Sequence, residues 1–150
     1  MQIINYFDSD RKEYWLQKIG GCDWEAGKFL YELICGGKLS EVLGDGTKVL
    51  MLVDEDELVS FCTYAKRDDI PSTDLSPWIG FVYTFPEWRG HRYIGKLFEE
   101  TARIAKSEGV SCAYISTEHI GLYEKYGCEF YRMMADIGGN MSRVYIKKFD

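Results

Sequence analysis

The feature that most constrains the fold is the run WIGFVYTF at residues 78–85, where apolar side chains fall on both faces of any strand that the run forms. A strand with one solvated face alternates apolar and polar residues, whereas a strand that is apolar on both faces needs a cover on each side. Pro86 ends the run, and from Arg92 onward apolar residues recur at helical spacing as far as Gly109. The sequence therefore predicts a central strand, covered by helices on both sides, that turns directly into a helix.

The rest of the chain alternates between helical and strand periodicity, without a linker, a repeat or a low-complexity tract. Two helices are predicted near the N-terminus, with Ser9-Asp10 and Asp23 as the capping residues. A polar loop is predicted over residues 66–76. These features indicate one α+β or α/β domain over residues 1–150. The other predicted elements are strands at 2–7, 48–53, 58–65, 111–116, 129–134 and 142–148, and a short helix at 120–126.

The net charge and the cysteines limit which partners and which kinds of site the protein can have. A formal charge of -6 argues against a nucleic-acid partner, because neutralising phosphates needs a surplus of Lys and Arg, and it mildly favours a cationic substrate. Five widely spaced cysteines indicate small buried thiols, and no Cys or His spacing predicts a metal site. Because no apolar run approaches the ~18–20 residues of a membrane span, and no secretory leader is recognisable, we expect no membrane partner and a cytoplasmic protein.

The turn RGHRYIG at residues 89–95 joins the central strand to the following helix. Unpaired backbone N–H groups and the helix dipole at such a junction attract phosphate, and Arg89 and Arg92 add positive charge to an acidic chain. The turn matches neither the P-loop nor the dinucleotide-binding fingerprint. It therefore predicts a phosphate site of another kind, with arginines that merely decorate a helix start as the alternative.

A second segment, HIGLYEKYGCEF at residues 119–130, helps to interpret the turn at residues 89–95. Together the two segments resemble the GNAT superfamily of acyl-coenzyme A N-acyltransferases. In that family a central strand ending in a segment like PEYRGKGIG leads to the pyrophosphate-binding helix, and a later LYEKxGF segment lies at the other side of the cofactor. Here PEWRG at 86–90 and LYEKYG at 122–127 match these segments, with about 30 residues between them. The resemblance covers nearly the whole chain and is most specific over residues 58–130.

The resemblance implies a three-layer fold with a mixed, mostly antiparallel central sheet flanked by helices. It also implies that acetyl-coenzyme A is the cofactor and that the acyl group passes directly to a primary amine of a small molecule or a protein. Tyr123 stands at the position of the family's general acid, with packing onto the sheet as the alternative role. A tyrosine pKa of ~10 against ~8.5 for a thiol makes this proton transfer cheap. The cofactor-binding residues that the resemblance implies are Val82, Tyr83 and Thr84 through their main chain, Arg89, Gly90, His91, Arg92, Tyr93, Ile94, Gly95 and Ser116.

Three departures from the family pattern are visible. Arg92 and Ile94 stand where small residues are usual, and Gly95 comes one place late. Because small residues there let a pyrophosphate approach the backbone, the departure predicts a re-shaped turn or a weaker phosphate contact, which Arg92 offsets by direct charge. Ser116 replaces an Asn that contacts the cofactor, and Cys128 replaces a Phe.

Several questions stay open at this level. The sequence does not choose a general base among its candidates, and it does not identify the acceptor. A catalytically inactive relative, which binds the acyl-coenzyme A or only a partner protein, is an alternative, as is a nucleotide-binding regulator that uses the same turn. A terminal strand pair offers an edge for a possible homodimer. The candidate bases are Glu87, Asp68, Asp69 and Glu118.

Overall fold

The computed structural model describes residues 1–149, which form one seven-stranded sheet with helices on both faces. The strand order is β1-β2-β3-β4-β5-β7-β6, and every neighbouring pair is antiparallel except β4 with β5. The mixed, mostly antiparallel sheet implied by the resemblance is thereby confirmed. The strands are β1 (Gln2–Asn5), β2 (Lys48–Asp54), β3 (Glu57–Ala65), β4 (Trp78–Thr84), β5 (Cys112–Thr117), β6 (Glu129–Ala135) and β7 (Met141–Lys148).

Over residues 1–149, four α-helices and three one-turn 3₁₀ helices accompany the sheet. The helices α1 and α2 pack on one face of the sheet, and α4 packs on the other. Neither α1 nor α4 approaches the length of a membrane-spanning segment, and no described helix combines that length with an apolar composition. The helices are α1 (Lys12–Gly20), α2 (Glu25–Cys35), α3 (Leu39–Leu43) and α4 (Ile94–Ser107), and the 3₁₀ turns are Tyr6–Asp8, Pro86–Trp88 and Tyr123–Tyr126.

The two helix layers explain the two-sided apolar strands. Along β2, Met51 packs under α1 and α2 while its neighbour Leu50 packs under α4, because successive side chains of a strand point to opposite faces. The same division holds in β3, where Phe61 and Cys62 enter opposite cores. Burying such side chains contributes roughly 1.5–3 kcal/mol each. Two cores on one sheet therefore supply the cover that the sequence pattern demands.

The helix starts differ from the sequence-based expectation. The predicted caps Ser9-Asp10 and Asp23 do not cap α1 and α2, whose first turns begin after Arg11 and Trp24 without a side-chain hydrogen bond. Ser9 Oγ accepts the Arg11 N–H at 2.9 Å, one residue before the first turn of α1. Asp23 instead accepts a hydrogen bond from the Tyr83 hydroxyl at 2.9 Å. The Asp23 carboxylate therefore contacts β4 instead of capping the first turn of α2. The five-residue helix α3 was not predicted, because one and a half turns leave too short a periodic pattern.

The sheet opens where β4 runs beside β5. Trp78 and Tyr114 form the one bridge recorded between these two strands within residues 1–149, and the strands diverge beyond it. On the other side of β4, the register against β3 shifts by one residue, and Phe81 adopts a left-handed φ of 51°. This bulge bends β4 away from β5. The main chain in the second half of β4 is therefore left without a strand partner on one side.

Three of the five cysteines are buried as predicted, namely Cys22, Cys62 and Cys128. Cys35 is exposed and Cys112 is half-buried, so the expectation of buried thiols is wrong for these two. Burial raises the pKa of the Cys62 thiol to about 12, which keeps it protonated and unreactive. Within residues 1–149 no cluster of three or more His, Cys, Asp or Glu side chains could hold a metal ion.

Candidate active site

The divergence of β4 from β5 creates a cavity of about 500 Å³. One side of it is the exposed main chain of β4, the opposite side is the end of β5, and the 3₁₀ turn Tyr123–Tyr126 closes the bottom. Loop 66–76 and the start of α2 form its rim. The side chains and main chain that line it belong to Trp24, Ala26, Phe29, Val42, Leu43, Asp68, Asp69, Ile79, Gly80, Phe81, Val82, Ile115, Ser116, Thr117, Glu118, His119, Tyr123, Asp136, Ile137 and Ser142.

The predicted contacts on β4 divide between the two sides of the strand. Phe85 donates its N–H to Val59 of β3, and main-chain groups alternate in direction along a strand, so Thr84 points toward the gap. Val82 lies two residues earlier and lines the cavity. Tyr83 faces β3, because its carbonyl accepts the Ser60 hydroxyl at 2.6 Å. The geometry therefore leaves the main chain of Val82 and the N–H of Thr84 open to a ligand, whereas the Thr84 carbonyl already accepts a hydrogen bond from a side chain of the following turn.

The phosphate turn places several free amides at the start of α4. Gly95 and Lys96 donate their N–H groups back to Arg92 and Tyr93 at 3.0 Å. The amides of residues 90–94 have no acceptor within residues 1–149. Gly90 has a φ of 90° and open space around the position of a side chain, so the backbone is accessible there. The predicted anion site thus has its donors in place.

Arg92 explains why its position usually carries a small residue. Its φ is 57°, the left-handed conformation that Gly adopts freely and that costs another residue roughly 1–2 kcal/mol. The turn has kept this backbone shape despite the larger side chain. Arg92 is exposed and forms no ion pair within the described residues, so its charge is available to an anion at the turn.

Arg89 has a different place from Arg92. Its Nε donates to the Thr84 carbonyl at 2.9 Å, and its guanidinium lies 5.4 Å from the centre of the Tyr83 ring. The side chain therefore ties the turn back onto β4. His91 and Tyr93 lie side by side on the turn, with ring centres 5.3 Å apart. They flank the free amides of the turn and do not enter the 500 Å³ cavity.

Tyr123 lies at the bottom of the cavity with 5 % of its surface exposed. Its ring packs between Phe98 and Tyr145, at centre distances of 6.1 and 6.2 Å. Its hydroxyl makes no hydrogen bond to any residue in 1–149 and borders the open space. Burial comes first among the causes that raise the pKa of the Tyr123 phenol, and the nearby Cys62, Cys128 and Asp68 add to it. The phenol therefore holds its proton firmly until an acceptor of that proton is formed beside it.

Ser116 lines the cavity opposite β4, but its hydroxyl is engaged. Its Oγ lies 2.7 Å from Ser142 Oγ of the neighbouring strand β7. Since Ser142 also contacts the Thr117 carbonyl at 3.4 Å, the Ser142 proton has an acceptor of its own and Ser116 retains a lone pair. Ser116 therefore lines the cavity with one of its hydrogen-bonding groups already used.

Among the four candidate bases, two enter the cavity side by side. Asp68 and Asp69 come from loop 66–76, and Glu118 lies at the exposed edge of the cavity. Glu87 lies in the exposed turn before Arg89 and does not line the cavity. Burial and the neighbouring Asp69 raise the pKa of Asp68 to about 7. Asp68 is therefore the candidate base whose pKa is raised toward neutral pH.

The loop that carries these carboxylates is held by hydrogen bonds on either side of Asp68. Arg67 donates its N–H to Leu43 at 3.0 Å, and its guanidinium donates to the carbonyls of Glu41 and Val42 at 3.0 and 3.3 Å. Asp69 accepts the Ile137 N–H at 2.7 Å through its main-chain carbonyl. The short helix α3 therefore anchors the loop that forms the rim.

Two residues of the cavity were not predicted from the sequence, and a local signal existed for one of them. Gly80 interrupts the apolar run of β4, and an isolated Gly within a strand marks a bulge or a close approach. Here the Asp68 carboxylate occupies the space that a side chain on Gly80 would fill. Trp24 stacks on Tyr83 with the rings 8° from parallel, which brings the start of α2 to the rim. No local pattern predicts that contact.

The fold is shared with solved acetyltransferases at low sequence identity. An aminoglycoside 6'-N-acetyltransferase complexed with coenzyme A superposes with a TM-score of 0.69 at 15% identity, covering 100% of this chain and 98% of that one. The aminoglycoside 6'-N-acetyltransferase from Enterococcus faecium gives 0.70 at 13%, covering 100% and 98%. The N-acetyltransferase YhbS from Escherichia coli, in complex with CoA, gives 0.65 at 15%, covering 99% and 81%. At such identity these similarities show the fold alone.

The family of the protein follows from its amino-acid sequence. No curated protein matches the chain. The sequence model of the acetyltransferase (GNAT) domain matches residues 38–131, which is well over half of the chain and includes β4, the phosphate turn, α4 and Tyr123. The chain therefore belongs to the GNAT acetyltransferase family and is an acyltransferase of that class.

Proposed function

We propose that the protein transfers an acetyl group from acetyl-coenzyme A to a primary amine, by direct attack of the amine in a ternary complex with Tyr123 as general acid. The observation that carries the proposal is the gap between β4 and β5, with the Tyr123 hydroxyl at its bottom. Membership of the GNAT family supports the acetyl donor, since solved relatives of the same fold bind coenzyme A. The acceptor class, a small molecule or a protein amine, is open at this stage.

The residues present fit the donor. The free amides of residues 90–94 and the charge of Arg92 suit a diphosphate. The unpaired main chain of Val82 and the free N–H of Thr84 suit the amides of a pantetheine arm. Acetyl-coenzyme A supplies the thioester whose carbonyl accepts the amine. These residues hold the donor in place and exclude water from one side of the reaction centre, which raises the strength of each polar contact.

Tyr123 supplies the proton that the departing sulfur needs. Its raised pKa means that it does not ionise at neutral pH, so the proton is present at the start of each turnover. The same burial also raises the proton affinity of a thiolate formed beside it, so the transfer stays close to balanced. A positioned acid of this kind accelerates a reaction by typically ~10²–10⁴-fold.

Acetyl-coenzyme A binding and amine acetylation test the proposal separately. At 100 times the dissociation constant, a ligand stabilises the fold by about 2.7 kcal/mol, which is several degrees of melting temperature for a chain of this length. We expect that rise with acetyl-coenzyme A and not with ATP, followed by release of free thiol when amines are added. An unchanged melting curve at millimolar acetyl-coenzyme A contradicts the proposal. Binding without acetylation of any amine would favour the non-catalytic alternative.

A homodimer remains a prediction of ours rather than part of the reaction. The strand β6 lies at the edge of the sheet and exposes Phe130, Tyr131 and Met133. An edge strand with such side chains is a place where a second copy can pair. The mass in solution, measured by light scattering, checks it.

A further inference from the structure

The cavity has an acidic lining that the acetyl donor does not use. Four carboxylates border it and, within residues 1–149, no Lys or Arg side chain does. The acids come from three separate parts of the chain: loop 66–76, the end of β5 and the turn between β6 and β7. Their convergence on one cavity is therefore a product of the fold rather than of local sequence. They are Asp68, Asp69, Glu118 and Asp136.

Two of these carboxylates lack a cationic partner within the described residues. Neither Asp68 nor Asp69 lies within 4.0 Å of a Lys, Arg or His nitrogen in the described part of the chain. The Oδ1 atom of Asp69 is closed off from solvent and accepts no hydrogen bond. Asp68 lies over Gly80, where a side chain would displace it. The partner of the Asp68 carboxylate is Asp69, and both side chains are half-buried. Two adjacent carboxylates that are partly removed from water repel one another, so the pair favours a bound cation.

The other wall of the cavity is apolar. Trp24, Phe29 and Phe81 contribute aromatic surface, and Phe29 and Phe81 lie with ring centres 6.4 Å apart. Phe29 is 47 % exposed and Ile137 is 76 % exposed at the rim, which is unusual for side chains of their size. An acidic wall that faces an aromatic wall suits a ligand with a cationic end and an apolar body.

We infer that Asp68 and Asp69 form the acceptor subsite, that it takes a primary ammonium group on an apolar body without a carboxylate, and that Asp68 removes the ammonium proton. The inference rests on the proposed function, because it places the acceptor in the cavity that Tyr123 borders. It adds the class of amine and the base, which the family and the sequence leave open. A carboxylate on the acceptor is excluded by repulsion from the four acids.

With Asp68 as the base, every proton that is taken up or released in one turnover is accounted for. The Asp68 carboxylate takes one proton from the ammonium group, which becomes a neutral amine with a free electron pair. That pair forms the new C–N bond as the C–S bond breaks, and the Tyr123 hydroxyl gives its proton to the departing sulfur. The nitrogen loses a second proton as the amide forms, and this proton replaces the one lost by Tyr123. Asp68 returns its proton to water when the amide leaves, so each turnover releases one proton.

The electrostatic surroundings support Asp68 as the base. Its pKa is raised to about 7, first by burial and then by Asp69. The other titratable groups that face it across the cavity are Glu118, His119, Tyr123 and Asp136. A base whose pKa lies near the working pH combines a useful ionised fraction with a useful proton affinity. The acids around it also favour the approach of a cation.

Binding of paired amines tests the subsite without relying on turnover. The pairs are tyramine with tyrosine and hexylamine with 6-aminohexanoic acid, each titrated by calorimetry into the coenzyme A-loaded protein. We expect at least one amine to bind at least tenfold more tightly than its carboxylated partner. We expect Asp69→Asn to reduce that ratio, whereas Asp74→Asn, an exposed acid of the same loop, leaves it unchanged. Equal binding within every pair, or no binding of any amine, overturns the inference.

The pH profile tests the base separately. For wild type, kcat/KM for the amine that binds best should rise with pH through an inflection near 7, because Asp68 must be ionised to accept the proton. Asp68→Asn should lower kcat by about 100-fold or more at pH 7 and abolish that inflection, with acetyl-coenzyme A binding retained. An active Asp68→Asn variant with an unchanged profile overturns the base while leaving the proposed function intact. Failure of wild type to acetylate any amine counts against the proposed function instead.

Discussion

The carboxylate of Asp68 lies directly above Gly80, so close that a Cβ built on the glycine would come within 2.7 Å of the Asp68 Cγ. A loop residue and a central-strand residue are therefore fitted to one another at the entrance of the cavity. The glycine has an ordinary strand conformation, so its role is to leave space rather than to allow an unusual backbone angle. The half-buried position of Asp68 in the lining of the cavity follows from this contact.

Gly80→Ala should displace Asp68. We expect a loss of about 1–3 kcal/mol in the free energy of unfolding, as in overpacked sites, measured by denaturant unfolding. The double variant Gly80→Ala/Asp68→Ala should recover part of that loss, because the second change removes the clashing group. Additivity of the two single effects within ~0.5 kcal/mol would show that the residues do not interact.

Asp68→Asn should change how stability depends on pH. The folded pKa of about 7 exceeds the ordinary value of 3.8, so between these values the folded protein binds more protons than the unfolded chain. Wild-type stability therefore falls as pH rises from about 4 to 7, and the variant lacks this loss. The melting temperature of the variant relative to wild type should increase from pH 5 to pH 8, by ~2–4 °C for each 1 kcal/mol. A constant difference contradicts the raised pKa.

Arg92→Gly should stabilise the fold while weakening donor binding. Glycine relieves the cost of a φ of 57°, which is roughly 1 kcal/mol, and removes a positive charge from the phosphate turn. Arg92→Ala is the matched control, since it removes the charge and keeps the strained backbone. Thermal unfolding and calorimetry with coenzyme A, both at low salt, separate the two effects. Equal stability of the two variants would contradict the claim that the backbone is strained at Arg92.

Tyr123→Phe should lower turnover by about 10²–10⁴-fold without loss of acetyl-coenzyme A binding. The control is Tyr145→Phe, a second buried tyrosine, whose hydroxyl donates to Glu124 at 2.9 Å and does not line the cavity. That change should cost about 1 kcal/mol of stability and leave turnover nearly unchanged. Thiol release is measured for both variants with the same amine. Similar turnover in the Tyr123→Phe variant and wild type would remove the phenol from the mechanism.

The strands and the phosphate turn were predictable because their signals are local. The apolar run of β4 requires two covering layers, and Pro86 with Gly90 marks the turn before α4. The positive φ of Arg92 could be suspected only from the family pattern, in which a small residue stands there. These features are written in short stretches of sequence, so a pattern of residues was enough to identify them.

The cavity was not predictable, because it depends on contacts between distant segments. The bulge at Phe81 places a bulky residue in a left-handed conformation, against its own preference. Loop 66–76 owes its position to Arg67 and the unpredicted helix α3. Asp23 had an equally good local role as a helix cap, and only the packing of α2 against Tyr83 decided otherwise.

The central claim is that the Tyr123 phenol and the amides of residues 90–94 act on one acyl donor, and a crystal structure with coenzyme A tests it most directly. We predict the diphosphate on those amides and the sulfur within about 3.5 Å of the Tyr123 hydroxyl, in the gap between β4 and β5. A diphosphate bound elsewhere, or a sulfur that lies outside this gap, would contradict the account.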